Sequence, residues 1–346
     1  MKTLPDLYNQ EQLAFCQSLP KVELHAHLNG SVRASTLREL AAEKQIDPEL
    51  CKLIEKGDRT LAECFGIFTL IHQVTTSISA IQRITREVLE DCAADNIIFA
   101  ELRTTPKSRP EHGLTKQTYV EAVLAGIDAF SEQNSGMEVG LLLSIDRRES
   151  AEEAMHTVTL AQQYHSRGVS GLDLSGNPTL GSWTTWRPAL DAARASGLHI
   201  SLHAGEVYRP AETSQMLEWR PDRLGHMCCL DEQLRSSLLA SHIPLELCLS
   251  SNVITESVAG YPDHHFRQLY HAGHPVVLCT DDSSVFSTTL SREYALAMAA
   301  FLLDRREMLM LAKKSIDYSF AESHIKQRLH TAFDRAAAKI QHSSAS

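Results

Sequence analysis

The sequence predicts a (β/α)8 barrel, and three observations carry that prediction. Eight short apolar segments recur along the 346 residues, each ends in polar or charged residues, and amphipathic helical stretches separate one from the next. Near-continuous apolar strands alternating with helices need a parallel sheet covered by helices, and eight such units close into a barrel. A doubly wound open sheet is the alternative, but no G-x-G-x-x-G follows the first strand, where a dinucleotide fold carries it. With 43% hydrophobic and 22% charged residues the chain has apolar material for a large core. We expect residues 1–346 to form one barrel domain without a linker.

Taken in order, the predicted strands are Val22–Asn29, Ile97–Pro106, Val139–Arg147, Val169–Asn177, Ile200–Glu206, Leu224–Cys228, Leu245–Asn252 and Val276–Ser283. In the first, Leu24, Ala26 and Leu28 alternate with Glu23, His25 and His27. Strand residues two apart share a face, so two imidazoles leave one strand end side by side. Gly30 breaks that strand, and Ser31 can cap the helix after it. Residues 30–96 hold at least three helical stretches, an insertion between strands one and two long enough to cover a site. Thr115–Gln133 spaces Tyr119, Val123, Ile127 and Phe130 three or four apart, with Thr115 as N-cap. Leu290–His342 exceeds one barrel helix and predicts extra C-terminal helices, and 343–346 reads as a disordered tail.

A net charge of −10 repels polyanions and argues against nucleic acid and membrane surfaces as partners. A small anion is still admitted, because a local basic cluster outweighs the global field at short range. None of the eight cysteines forms a C-x-x-C pair and most lie in apolar runs, so they read as buried free thiols of a reducing compartment. Met1–Asp6 lacks signal-peptide character and no run reaches the length of a membrane helix. A cytoplasmic monomer is the expectation.

In a (β/α)8 barrel the site lies at the C-terminal ends of the strands. Those ends supply His25 and His27; Arg103, Thr104, Thr105 and Lys107; Asp146 and Arg147; Asp173, Ser175 and Gly176; His203 and Glu206; His226; Ser250, Ser251 and Asn252; and Asp281 and Asp282. Polar groups are costly to bury without partners, so their concentration at one end marks a site. Three imidazoles, His25, His27 and His203, with the Asp281 carboxylate make a zinc shell with room for a water, and zinc lowers the pKa of that water to about 7. Glu206 follows His203 where strand becomes loop and suits general acid–base work. His226 is placed to orient the water, and Asp282 to contact a substrate. His264 and His265 lie in a polar stretch and read as surface residues. Trp183, Trp186 and Trp219 read as packing.

His25-Ala26-His27-Leu28-Asn29-Gly30-Ser31, His203-Ala204-Gly205-Glu206, Leu224-Gly225-His226, Ser250-Ser251-Asn252 and Cys279-Thr280-Asp281-Asp282 resemble, in this order, the adenosine and AMP deaminase family of metal-dependent hydrolases. The resemblance spans essentially the whole chain. It implies one zinc on His25, His27, His203 and Asp281, Glu206 as proton donor to purine N1, and His226 with Asp281 to activate water. It implies ring contacts from the Gly176 N–H and Asp282. Within the family the sequence is similar to the branch acting on N6-substituted purine nucleoside monophosphates such as N6-methyl-AMP, which yields IMP and methylamine. Adenosine deaminases carry Asp where this chain has Asn29, and a carboxylate there repels a 5′-phosphate while an amide does not. Leu102-Arg103-Thr104-Thr105-Pro106-Lys107 and Ile145-Asp146-Arg147-Arg148 bring hydroxyls and cations suited to phosphate. The resemblance also brings His72 from the insertion to the nucleotide, together with His27. Lys107 stands where some relatives have arginine, and an ammonium holds phosphate less directionally.

Three rivals are weaker. A dinuclear amidohydrolase needs a strand-four lysine, which Gly171-Leu172-Asp173-Leu174-Ser175-Gly176 lacks. The H-x-E and P-C-x-x-C zinc deaminase signature does not occur. A nucleotide-binding pseudoenzyme is disfavoured because every candidate ligand and Glu206 are present. Adenosine deaminase activity on the free nucleoside is the alternative that differs least.

Overall fold

In the computed structural model, which describes residues 7–56, 59–133 and 136–343, eight parallel strands follow one another around a barrel in sequence order. They are β1 (Lys21–His27), β2 (Ile97–Thr104), β3 (Glu138–Asp146), β4 (Val169–Ser175), β5 (His199–Ala204), β6 (Arg223–His226), β7 (Leu245–Leu247) and β8 (Val276–Leu278). The seam between the last and first strands is closed just beyond β8. There the Asp281 N–H donates to the His25 carbonyl at 2.8 Å and the His27 N–H to the Asp281 carbonyl at 2.9 Å. The backbone of three candidate metal ligands therefore closes the barrel.

The strands are not apolar throughout. Arg103 on β2 donates to Asp173 on β4 at 3.1 Å and to Glu246 on β7 at 2.7 Å. Arg223 on β6 donates to Glu246 at 2.5 Å and also pairs with Glu101 on β2. Three of these four contacts join strands that are not neighbours and so cross the barrel interior, while Arg223–Glu246 links the adjacent β6 and β7; all five side chains are fully buried. Alternate residues, among them Val22, Leu24, Leu102, Leu172 and Leu224, join the apolar layer under the helices. One or two charges in a short strand do not disturb an apolar run, and these are tolerated inside because each is paired more than once.

β7 and β8 stop earlier than predicted. Leu249–Ile254 is a helix that carries Ser250, Ser251 and Asn252. Glu293 fixes its first turn by accepting from the Ser250 N–H at 3.1 Å and from the Ser250 hydroxyl. Ser31 does not cap a helix. Its hydroxyl donates to the His27 carbonyl at 2.9 Å within a 3₁₀ turn, and the next helix begins at Ala34. Thr115 does cap, accepting from the Thr118 N–H at 3.1 Å.

Between β1 and β2 lie helices Ala34–Glu43, Pro48–Cys51, Leu61–Val74 and Ile78–Ala94. The last packs along Lys116–Gln133 in the outer ring. Leu61–Val74 opens on a Thr60–Glu63 capping box and presents His72. After β8 come Leu290–Phe301, Arg305–Ser315 and Ser323–Ser343, the second lying against β1 and β8. Of the predicted disordered tail 343–346, Ser343 instead ends the last helix, and 344–346, like the Met1–Asp6 stretch, lie outside the described residues. All eight cysteines are free thiols, but only Cys16, Cys64, Cys248 and Cys279 are buried; Cys51, Cys92, Cys228 and Cys229 are half-buried. Trp183 and Trp186 are packed in the core, with Trp219 partly buried against it. Among the described residues, no helix is long and apolar enough to cross a membrane.

Candidate metal centre and active site

Strand periodicity, the barrel seam and a cross-barrel partner bring four donors together. One donor atom each from His25, His27, His203 and Asp281 lies within 4.8 Å of the others. His27 Nε2 and His203 Nε2 are 3.0 Å apart, and Asp281 Oδ1 is 3.6 Å from His25 Nε2 and 3.4 Å from His27 Nε2. Two of the rings are turned by carboxylates behind them: His25 Nδ1 lies 2.6 Å from Glu246 and His203 Nδ1 2.9 Å from Asp173. An ionised carboxylate only accepts, so each Nδ1 carries a proton and each Nε2 lone pair faces the centre. His25 Nε2 is buried without a hydrogen-bond partner. That orphaned lone pair, among two more nitrogens and a carboxylate oxygen, fits a divalent cation. Gly225 makes the room, since a Cβ there would lie 2.9 Å from the His25 ring.

Arg103 is not available to phosphate, contrary to its sequence reading. Its guanidinium is sealed in the barrel against Asp173, Glu246 and the Leu24 carbonyl, where it braces the carboxylates that turn His25 and His203. Arg147 also turns away, to the Leu180 carbonyl at 3.1 Å, the Glu212 carboxylate and the face of Trp186.

Beside the donors sit the candidates for proton transfer, Glu206 and His226. His226 Nε2 lies 4.0 Å from Glu206 Oε1 and 3.9 Å from Asp281 Oδ2. The Ser251 hydroxyl donates to Asp281 Oδ2 at 2.7 Å. Burial and the nearby Asp281 charge push the Glu206 carboxyl above its usual range. Burial opposes ionisation of Asp281 too, but His25, His226 and His27 around it hold it well below its usual range. Burial and the charge of Asp281 push Asp282 well up. The adjacent carboxyls are thus driven apart, one ionised and one protonated. Gly30 admits Asp282, because a Cβ at that position would lie 1.6 Å from Asp282 Oδ1.

The other candidate residues gather where the insertion meets β2 and β3. Asn29 Nδ2 donates to the Tyr119 hydroxyl at 3.2 Å, which lies 2.6 Å from Thr104 Oγ1. Asn29 Oδ1 is buried without a partner, so the free atom of this amide is an acceptor. Lys107 Nζ donates to His72 Nδ1 at 2.7 Å. Burial, with Arg109 and Arg148 nearby, pushes Lys107 down to about 8, and burial with Lys107 pushes His72 down to about 4. Thr105 and the buried Pro106 lie in the irregular segment between the end of β2 at Thr104 and Lys107. Asp146 accepts from the Arg148 backbone N–H and guanidinium, both at 2.9 Å, and faces Gly176 after β4. An open cleft of about 630 Å³ lies beside His72, lined also by Lys44, Thr69, Thr76 and Arg109.

His264 and His265 are not surface residues. His264 is buried and bonded to Asn252, and His265 Nε2 lies 2.7 Å from the His226 carbonyl. Sequence reasoning also passed over Tyr119, read as helix packing, and Glu246. The signal for Glu246 was a single carboxylate inside the apolar run Leu245-Glu246-Leu247.

The arrangement has known counterparts. The family model described as adenosine deaminase matches residues 20–336. The chain is 46% identical to a protein of Arabidopsis thaliana named N6-mAMP deaminase, over 94% of this chain and 99% of that one. It is 40% identical to N6-methyl-AMP deaminase of Homo sapiens, over 95% of this chain and 96% of that one. A crystal structure of Arabidopsis ADAL complexed with IMP superposes with a TM-score of 0.89 at 46% identity, covering 94% of this chain and 99% of that one. The chain belongs to the adenosine deaminase family.

Proposed function

We propose that this protein is a zinc-dependent hydrolase that converts N6-methyl-AMP and water to IMP and methylamine, one zinc per chain, as a single-domain monomer in the cytoplasm. The observation that carries the reading is the pairing of two ends in one site. The His25–His27–His203–Asp281 donor set lies beside Glu206 at one end. At the other, Lys107 pairs with His72, and Asn29 and Thr104 meet at the Tyr119 hydroxyl. The names of the relatives and the IMP complex of a family member support the same substrate class. Eight unpaired thiols support a reducing compartment.

Zinc held by His25, His27, His203 and Asp281 supplies a Lewis acid and lowers the pKa of a water to about 7. The protein's own groups do the rest. Glu206, whose carboxyl is pushed up by burial and the Asp281 charge, delivers a proton to purine N1 as the attacking oxygen bonds to C6. This matters because a hydroxide adds well to an aromatic carbon only where the developing ring charge is met. His226 Nε2, between Glu206 and Asp281, holds the oxygen on line. Protonated Asp282 and the Gly176 N–H fix the ring, while His27 borders it. The tetrahedral C6 then loses its C–N bond. Of the two protons of the attacking water, one leaves on the amine as methylamine and the other returns to Glu206, which again carries the proton it gave to N1. Asn29 Oδ1 suits a ribose hydroxyl, and Asp146 borders the same pocket. Thr104 at the end of β2, with Thr105 and Lys107 on the segment after it that contains Pro106, binds the phosphate with His72.

Incubation with N6-methyl-AMP, with and without chelator, tests the reading. IMP and methylamine in equal amounts, abolished by chelator and restored by zinc, is the expected result. Turnover of the free nucleoside alone, or nucleotide binding without turnover, contradicts it.

A further inference from the structure

Behind His226 runs a chain of hydrogen bonds whose direction is set by one backbone donor. The Phe266 N–H donates to His264 Nδ1 at 3.0 Å. An amide N–H has no acceptor role, so His264 Nδ1 is unprotonated and its ring proton sits on Nε2. Burial, with His265 and His226 beside it, keeps His264 neutral. His264 Nε2 lies 3.1 Å from Asn252 Oδ1, and Asn252 Nδ2 lies 3.1 Å from His226 Nδ1. Each atom now has one role. His264 Nε2–H donates to the Asn252 carbonyl oxygen, and the Asn252 amide donates to His226 Nδ1. His226 then carries its proton on Nε2, the atom facing Glu206 and Asp281. The reversed Asn252 amide is excluded. It would ask His264 to accept at both nitrogens, which a neutral imidazole does not do.

A second grip comes from His265. Its Nε2 lies 2.7 Å from the His226 carbonyl, and its ring stacks on His264 with centroids 4.4 Å apart. His226 and Met227 both have left-handed backbone, φ +66° and +54°, a conformation that side chains other than glycine adopt only when held. The pair therefore holds His226 by its ring and by its main chain. With Nδ1 accepting and Nε2 protonated, His226 has no lone pair left for a metal. Its grouping with Cys248 and Asp281 is accordingly not a second metal site.

We propose that Asn252 and His264 are positioning residues that lock His226 as the Nε2–H tautomer, so that His226 meets the reacting oxygen as a donor and not as a base. This rests on the deaminase reading for its consequence in turnover, but the tautomer stands apart from any substrate.

The test uses the metal-loaded protein labelled with ¹⁵N-histidine, with His226 assigned by its loss in His226→Asn. Long-range ¹H–¹⁵N correlation should show a protonated Nε2 and an unprotonated Nδ1 on His226. A protonated Nδ1 overturns the proposal, whatever the substrate proves to be. Asn252→Asp is nearly isosteric but only accepts, so it should move the proton to Nδ1. It should also lower kcat by about 10²–10⁴, the scale of a misplaced catalytic proton, with metal content and KM little changed. His264→Gln keeps a donor toward Asn252 and should stay within several-fold of wild type. His264→Phe keeps the stacked shape without the donor and should lose about tenfold or more. A Phe variant as active as the Gln variant would mean that His264 only packs, and the relay would be wrong.

Discussion

The two ends of the site are built in opposite ways. At the base end the ligands sit on strand ends and on the seam that closes the barrel, and the His25, His203 and His226 rings are each turned by a partner behind them, Glu246, Asp173 or Asn252. A small pocket of about 10 Å³ lies beside His203 and Glu206. At the phosphate end the polar groups satisfy one another: Lys107 with His72, Asn29 with Tyr119, Asp146 with Arg148. Asn29, Lys107 and Arg148 lie on the segments after β1, β2 and β3, Asp146 ends β3, Tyr119 belongs to the outer helix Lys116–Gln133, and His72 is on a helix of the insertion beside an open cleft. The base end is preorganised, which is what a developing charge requires. Under the proposed function, the phosphate end would exchange its internal contacts for those of the nucleotide, which is how specificity comes to groups around an open cleft.

That contrast orders the expected losses. His203→Ala removes a donor from the rigid end and should abolish metal binding and activity together, read as zinc per chain by elemental analysis alongside turnover. Retention of a full zinc equivalent would show that His203 is not a ligand. Glu206→Gln should keep zinc and nucleotide affinity while kcat falls by about 10²–10⁴; a variant with near-normal kcat would assign the N1 proton elsewhere. At the soft end the losses are smaller and specific to the phosphate. Lys107 titrates at about 8, and its depressed pKa means that the cation is present below that pH and lost above it. The kcat/KM for the monophosphate should therefore fall by about tenfold between pH 7 and 9.5, while that for the nucleoside does not follow. Lys107→Arg, charged throughout, should remove this limb; a limb that persists belongs to another group.

Legibility in the sequence follows the same divide. His25, His27, His203 and Asp281 could be placed because a strand has a period of two and a barrel has its site at one rim. The fold followed from eight repeats of one pattern. Arg103 was misassigned because its place on β2 does not tell whether a long side chain climbs toward the rim or lies across the interior. Glu246 and Glu101 were hidden in apolar runs for the same reason, since their partners come from strands far away in sequence. Asp263-His264-His265 looks like any polar loop, and only the fold shows it tucked under His226. Ser250–Asn252 looked like a strand end because Glu293, which starts the short helix there, is some forty residues away.

The central claim is that Asn29, Lys107 and His72 make this a monophosphate site on an adenosine deaminase barrel. The most direct measurement is the ratio of kcat/KM for N6-methyl-AMP to that for N6-methyladenosine, in wild type and in Asn29→Asp. The account predicts a large ratio in wild type that falls by about 10- to 10²-fold in the variant, through repulsion between the new carboxylate and the phosphate. A wild-type enzyme that handles both substrates equally well, or a ratio unmoved by Asn29→Asp, would contradict it.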